Sequence, residues 1–422
     1  MKNGLFKSVL TLLTGSASSQ VILLITYFLL ARWYGPDAIG QVRNYTAIMF
    51  MGAILVMGGY DLALMLNNTE RSVAIHIKLC FSVLLFSAVL IIPVGILMSP
   101  FLSGWLNAPA FIFWGKILPL SILAEGAMVL LSHFLSKKER YKQLSFSLFV
   151  YGAAFAIVSL FAGNEELNVN QIFMAIVVSQ AVKLVALIYF FSKNRNMLEL
   201  PISNAELKAQ AKQFQQYPTY HLGSSLTNYA SREMVVPLLS SFYGTAVAGL
   251  FSMANQILQL PMRFILQVVP QVYYQRVAQA AQDGKNMVRK ETISAIGVLV
   301  VMAAIPTFLL ALFGPWLFTE LLGEKWAESG QIVKWLAPFA ILAVVVSPLS
   351  GLVNIHGKLK QFFVVNILFL VSRLGAIVLG FYVGNELTSI SFYGIAAAVG
   401  SLGLLVWFLK LSGIIKSSVE NG

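Results

Sequence analysis

"RWYGPDAIGQ" (Arg32–Gln41) and "SFYGTAVAGL" (Ser241–Leu250) are two similar phrases in opposite halves of a 422-residue chain. Each contains a Tyr-Gly pair, four further residues and a second glycine, and each lies between apolar segments. Glycine allows the backbone to turn tightly where other residues are strained. The phrases therefore predict equivalent turns between neighbouring helices, and we favour this role for the glycines over substrate contact.

The composition around these phrases is that of an integral membrane protein. Hydrophobic residues make up 58% of the chain and charged residues only 11%, and the mean hydropathy is +0.78. Soluble domains carry far more charge. The apolar runs are each about 20 residues long, the length that an α-helix needs to cross a bilayer.

These runs predict an all-α polytopic fold, because barrel strands would alternate over about ten residues. The first run continues to Ala31, which favours an uncleaved helix over a signal peptide. Twelve spans are predicted, at 8–31, 42–66, 77–99, 110–135, 144–163, 170–191, 215–242, 249–274, 292–314, 331–355, 362–384 and 390–411.

The loop charges predict the orientation of the spans. If both termini are cytoplasmic, most of the 29 Lys and Arg residues lie in cytoplasmic loops or tails, as basic residues do in membrane proteins. The opposite loops then hold mainly Asp and Glu. The net charge of +12 is explained in this way, so it does not indicate nucleic-acid binding.

The two Tyr-Gly turns lie six spans apart, which gives both halves the same topology and predicts parallel repeats. The halves are expected at residues 1–192 and 214–422, each a six-helix lobe. A cytoplasmic linker at 193–213 joins them. Within it, Ser203 and Glu206 have the spacing of a capping box that starts a short amphipathic helix.

The first turn, "ARWYGPDAIGQ", and a longer segment around the second resemble a known family. The longer segment reads YPTYHLGSSLTNYASREMVVPLLSSFYGTAVAGLFSMANQILQLPMRFILQVVPQVYYQR, from Tyr217 to Arg276. It is similar to the polysaccharide-exporter branch of the multidrug, oligosaccharidyl-lipid and polysaccharide (MOP) transporter superfamily, and within it to Wzx-type flippases. Many relatives have Arg where Gln256 stands, so no binding role is carried over to that position.

The resemblance implies a V-shaped pair of lobes that opens alternately to either side of the bacterial inner membrane. The implied cargo is an undecaprenyl-diphosphate-linked oligosaccharide, which moves from the cytoplasmic to the periplasmic leaflet for O-antigen (lipopolysaccharide) or capsule-like polysaccharide biosynthesis. It also implies a polysaccharide polymerase and a chain-length regulator as protein partners, and no cofactor.

Charged residues inside the spans suit such a cargo. Each costs about 2.5–3.5 kcal/mol on insertion scales, so it normally faces a cavity or a partner. Basic residues outnumber acids there, and several donors are needed to hold a diphosphate stripped of water. The leading ligands, near the middle of spans seven, eight and eleven, are Arg232, Arg263 and Arg373.

Other basic residues of the spans leave two roles open. Lys183 lies somewhat inside span six. Arg43, Lys116 and Lys334 lie near outer ends, where an interfacial anchor competes with cargo binding. An internal ion pair or a contact with a backbone carbonyl is the alternative for every one of these residues, the central arginines included.

Acidic residues of the spans raise the question of energy coupling. Asp61, Glu125 and Glu233 either bind H⁺ or Na⁺ as the carrier changes state, or neutralise a neighbouring base. Neutralisation is favoured for Glu233, beside Arg232, and both roles stay open for Glu125.

Catalytic chemistry finds little support in the sequence. The four histidines lack ligand spacing, Cys80 is the single cysteine, and a Walker A loop is absent. We therefore expect a transporter, with no enzymatic activity and no metal. The strongest rival is a secondary transporter of another solute, either a multidrug exporter or a carrier of small anions. A polysaccharide polymerase is less favoured, since no loop could house a domain, and an assembly scaffold is less favoured, since it would not explain the arginines near the middle of the spans.

Overall fold

In the computed structural model, every described residue that lies in regular secondary structure is helical. The description covers residues 2–161, 168–193, 200–283, 285–350, 352–353 and 358–412, with side chains except at 2–18, 161, 264, 267–288 and 359. The linker residues 194–199 and the tail 413–422 lie outside it. The described residues form fourteen α-helices: α1 Lys2–Met57, α2 Tyr60–Ala63, α3 Glu70–Trp105, α4 Phe111–Lys137, α5 Tyr141–Phe161, α6 Val169–Ser192, α7 Asn204–Gln213, α8 Leu222–Glu233, α9 Val235–Tyr243, α10 Thr245–Asp283, α11 Lys285–Leu322, α12 Ala327–Leu349, α13 Leu359–Val383 and α14 Glu386–Ser412.

The chain divides into two compact units, Met1–Ala230 and Ser231–Gly422. The first unit contains α1 to α7, and the second contains α9 to α14. Helix α8 runs through the division. The expected lobe boundaries at 192 and 214 stay a prediction, and here the linker helix belongs to the first unit.

Nine helical segments of the described chain are long and apolar enough to cross a membrane. Predicted spans one and two both fall in one of them, Ser19–Met57, which consists of two helices that meet at the non-helical Gly35. Predicted spans seven and eight are not among the nine. Span seven is divided into a π-helical turn at Tyr217–His221, then α8 and α9, which are separated at Met234.

The two Tyr-Gly turns have matching backbone conformations. Gly35 has φ 80° and ψ −179°, and Gly244 has φ 90° and ψ 166°. This region is almost closed to residues with a Cβ atom. In each half, the preceding tyrosine hydrogen-bonds to the half's last long helix: Tyr34 donates to Gln171 Oε1 in α6, and the Tyr243 hydroxyl lies 2.7 Å from Ser389 Oγ in α14.

Apolar side chains both build the cores and cover the outside. In the first unit Tyr45, Phe111 and Phe173 pack edge to face, with ring centroids 5.2–6.3 Å apart. In the second unit α10, α11 and α12 share a buried core. On α3, by contrast, Val89 is 72% and Leu97 77% exposed, as expected for residues that face lipid.

Candidate functional site

Arg232 and Arg263, in the second unit, are both exposed. Arg232 is one residue from the end of α8, next to the buried Ser231. Arg263 lies in α10 beside Met262, which is 3% exposed and belongs to the core with α11 and α12. Arg263 therefore points away from that core. Both arginines therefore lie on the surface of their unit.

Arg373, the third predicted ligand, is enclosed within the same unit. It is 6% exposed, and its guanidinium carbon lies 4.8 Å from the ring centre of Phe339 in α12 and 5.1 Å from that of Phe369 in α13. Arg232 is close enough to interact electrostatically with it. Its Nε atom is buried and makes no hydrogen bond to any described group.

The predicted basic residues of the first unit have different surroundings. Arg43 is half-buried and donates a hydrogen bond to the hydroxyl of Tyr27. Lys183 Nζ lies 5.5 Å from the ring centre of Tyr151, a cation–π contact between α6 and α5. Lys116 is exposed, as is Lys334 in the second unit, so these two suit an interfacial position.

The three predicted acids also differ. Asp61 is 7% exposed, and its Oδ2 atom lies 3.4 Å from Nδ1 of His133. Glu233 is half-buried beside the exposed Arg232. Glu125 is 9% exposed, and its one hydrogen bond with a described group is donated by Gln180 Nε2 at 3.3 Å. Among the described side chains, no Lys or Arg nitrogen lies within ion-pair distance of Glu125.

Uncharged residues around Glu125 form a polar cluster that the sequence analysis missed. Tyr45 donates to Ser121 Oγ at 2.7 Å, and Gln180 Nε2 also lies 3.1 Å from Met49 Sδ. These side chains come from α1, α4 and α6. Ser121 and Glu125 are four residues apart on one face of α4, which is the signal that could have identified part of the cluster.

Metal binding has no candidate in the parts of the chain that the structure describes. No group of three or more His, Cys, Asp or Glu side chains is placed there to hold an ion. His76 and His133 instead contact Tyr60 O and Asp61 respectively.

Comparison with known proteins gives one family. The model of the polysaccharide biosynthesis protein family matches residues 29–331, which is more than half of the chain. The matched range includes both Tyr-Gly turns, Glu125, Arg232 and Arg263.

Curated relatives match over part of their length. The teichuronic acid biosynthesis protein TuaB of Bacillus subtilis is 25% identical over 48% of this chain and 42% of its own. The succinoglycan biosynthesis transport protein ExoT of Rhizobium meliloti is 21% identical over 74% and 61%. The amylovoran biosynthesis protein AmsL of Erwinia amylovora is 21% identical over 52% and 54%. The chain thus spans less than two thirds of each relative.

Solved structures show the fold. An inward-facing multidrug resistance MATE family transporter of the MOP superfamily superposes with a TM-score of 0.79, at 13% identity, covering 95% of this chain and 96% of its own. The lipid II flippase MurJ, in an inward closed conformation, has a TM-score of 0.72, at 14% identity, covering 95% and 89%. The protein therefore has a MOP-type fold.

Proposed function

Because the chain belongs to the polysaccharide biosynthesis protein family and has the multi-pass fold of MOP transporters rather than of enzymes, we propose that it is a flippase. Its cargo is an undecaprenyl-diphosphate-linked oligosaccharide. The cargo moves from the cytoplasmic to the periplasmic leaflet of the bacterial inner membrane, by alternating access of two lobes of six helices, twelve in all.

The observation that carries the proposal is the pair of exposed arginines, Arg232 and Arg263, in predicted spans of the second unit. A pyrophosphate offers several oxygens, and the guanidinium fork matches such oxygens in two-point contacts. The buried Arg373 interacts electrostatically with Arg232 and adds to the positive charge of this region. Cationic drugs would be repelled by this arrangement, which disfavours a multidrug exporter.

The relatives support the choice of cargo class but do not fix the sugar. Their names refer to teichuronic acid, succinoglycan and amylovoran. One of them is named as a transport protein. A family whose members are named for different polymers is best explained by recognition of a shared lipid diphosphate, with the sugar as a variable part.

Reconstitution tests this function. The purified protein is placed in liposomes with an undecaprenyl-diphosphate oligosaccharide in one leaflet, and a membrane-impermeant sugar-modifying enzyme reports its arrival in the other. Arg232→Ala and Arg263→Ala should each slow transport by about ten- to hundredfold, because a charge-assisted hydrogen bond contributes about 1.5–3 kcal/mol.

Two further variants complete the test. Lys334→Ala removes an exposed basic residue near the predicted outer end of a span and should leave transport unchanged. Arg263→Lys keeps the charge but loses the fork, so an intermediate rate is expected. Transport of a soluble drug or anion, with none of any lipid-linked sugar, would show that the protein is a different secondary transporter.

For energy coupling, we propose Glu125 rather than Asp61 or Glu233. Asp61 has His133 as a neighbour and Glu233 has Arg232, whereas Glu125 lies among neutral groups apart from Lys183 farther along α6. A buried carboxylate with one hydrogen bond is poorly compensated as an anion. Binding of H⁺ or Na⁺ supplies the missing positive charge.

A further inference from the structure

The linker helix α7 is joined to the first unit by a buried polar network. Its residue Gln210 is 7% exposed, and it meets Asn67 and His76, which are 3% and 0% exposed. Asn67 precedes α3 and His76 lies in the second turn of that helix. Buried polar groups of this kind stabilise one arrangement only if each finds a partner.

Each donor atom in this network has at least one acceptor. Gln210 Nε2 has two hydrogens, and it lies 2.7 Å from Asn67 Oδ1 and 3.3 Å from His76 Nδ1. His76 Nε2 lies 2.8 Å from Tyr60 O, and Asn67 Nδ2 donates to Ala63 O at 3.0 Å. A carbonyl only accepts and an amide nitrogen only donates, so His76 carries its single proton on Nε2.

Further contacts along α7 support the same placement. At its start, Arg71 Nη2 pairs with Glu206 Oε1 at 2.7 Å. At its end, the ring of Phe214 meets the edge of His76, with centroids 5.1 Å apart. Tyr60 also donates to Ala211 O at 3.4 Å. The helix is therefore fixed to the first unit along its whole length.

We propose that α7 is a permanent part of the first unit, and that the Gln210–His76–Asn67 network anchors it throughout the transport cycle. The flexible joint of the chain then lies after α7, between Tyr217 and Met234, rather than in the linker. The π-helical turn at Tyr217–His221 and the break at Met234 interrupt the chain there. The division between the two units, after Ala230, falls in the same stretch.

Hydrogen exchange tests the anchor without any cargo. Gln210→Leu keeps the approximate shape but leaves His76 Nδ1 without its donor, and leaves Asn67 Oδ1 with the Ser72 hydroxyl as its remaining donor. Amides of α7 should then exchange about tenfold faster or more, since buried groups lose their partner. Gln213→Leu is the matched control, because it makes the same change at an exposed position of α7, and it should leave exchange unchanged. Equal exchange in the two variants would overturn the anchoring role.

Cross-linking tests the permanence of the attachment and leaves the buried network intact. In a Cys80→Ala background, Arg71→Cys and Glu206→Cys are joined by a short, reducible bifunctional thiol reagent. Transport by the cross-linked protein should equal that of the reduced protein. Loss of transport on cross-linking, with recovery on reduction, would show that α7 must detach.

The transport measurement rests on the proposed function, whereas the exchange measurement does not. If neither the cross-linked nor the reduced protein moves any lipid-linked sugar, the flippase proposal fails. The anchor is then judged on hydrogen exchange alone, where faster exchange in Gln210→Leu than in Gln213→Leu supports it.

Discussion

Glu125 and Arg373 are buried charged residues with opposite kinds of surroundings. Glu125 accepts one hydrogen bond from an amide and lies near neutral polar side chains of other helices. Arg373 lies between two phenylalanine rings, whose negative faces attract a guanidinium. The arginine is thus partly compensated by its own unit, while the carboxylate has a single hydrogen bond from the described groups, which supports the proposed coupling role.

Glu125→Gln should separate coupling from folding. The amide retains the size of the side chain and removes its ability to take up a proton, so the protein should fold normally. Transport in liposomes should lose its dependence on an imposed pH or Na⁺ gradient, as measured by the rate with and without the gradient. Glu328→Gln, at the start of α12 and outside this cluster, serves as the control. Gradient dependence that survives in Glu125→Gln would exclude this carboxylate as the coupling site.

The positions of these charges could be predicted from the sequence, but their exposure could not. Apolar runs place Arg232, Arg263 and Arg373 in predicted spans, and the segment with Arg373 is among the nine that are long and apolar enough to cross a membrane. The exposure of each arginine depends on the rotation of its helix about the helix axis. It also depends on aromatic rings from other helices that cover the side chain, as Phe339 covers Arg373. The Glu125 cluster was missed for the same reason, because Tyr45 and Gln180 carry no charge and are far apart in sequence.

At the scale of single elements, the turns and caps follow closely from local sequence. The Tyr-Gly phrases predicted the turns at Gly35 and Gly244, and the Ser203–Glu206 spacing predicted a capping box that the structure contains. These features depend on a few adjacent residues. The break in span seven was not predicted, because 215–242 was treated as one run although Leu222–Glu233, before the break, is largely polar and Val235–Tyr243, after it, is apolar.

Gly244→Ala should destabilise the second turn by about 1–3 kcal/mol, because its φ of 90° and ψ of 166° are nearly restricted to glycine. No atom lies within 4 Å of an added Cβ, so backbone strain alone is measured. Gly297→Ala is the matched control: it also meets open space, but within a helix, where alanine is favoured. Thermal unfolding in detergent should show a lower Tm for Gly244→Ala only.

Acid should weaken the start of α7. The Ser203 N–H, then Arg71 and the Ser203 hydroxyl, lower the pKa of Glu206 from its ordinary 4.5 to about 2. The lowered pKa stabilises the folded state fully above pH 4.5, and this stabilisation is lost as the pH falls toward 2. A fluorescent label on Ala209→Cys, at an exposed position of α7 in a Cys80→Ala background, should report loosening in that window. When Glu206→Gln is added, the fluorescence of the label should no longer differ between pH 4.5 and a pH of about 2. An unchanged response would contradict this assignment.

For the whole molecule, composition was enough to predict an all-helical membrane protein, because lipid requires continuous apolar helices. The structure confirms the all-helical fold, and nine of its described segments meet the requirements of a span. The number twelve stays a prediction. Hydropathy treats each run as one helix, so it does not recognise that span seven is divided.

The orientation can be measured in intact cells with an impermeant thiol reagent. Lys142 and Glu324 are exposed and lie on predicted cytoplasmic and outer sides, respectively. In a Cys80→Ala background, Glu324→Cys should react in whole cells, and Lys142→Cys only after permeabilisation. The reverse pattern would contradict the predicted orientation of the chain in the membrane.

The hydrogen bonds of Tyr34 and Tyr243 have a consequence for biogenesis. Tyr34 finds its partner at Gln171, and Tyr243 at Ser389, so each tyrosine is matched within its own half. The first half can therefore close on itself while the ribosome is still synthesising the second. A membrane protein assembled in this order exposes its early polar groups to lipid only until Gln171 has entered the bilayer.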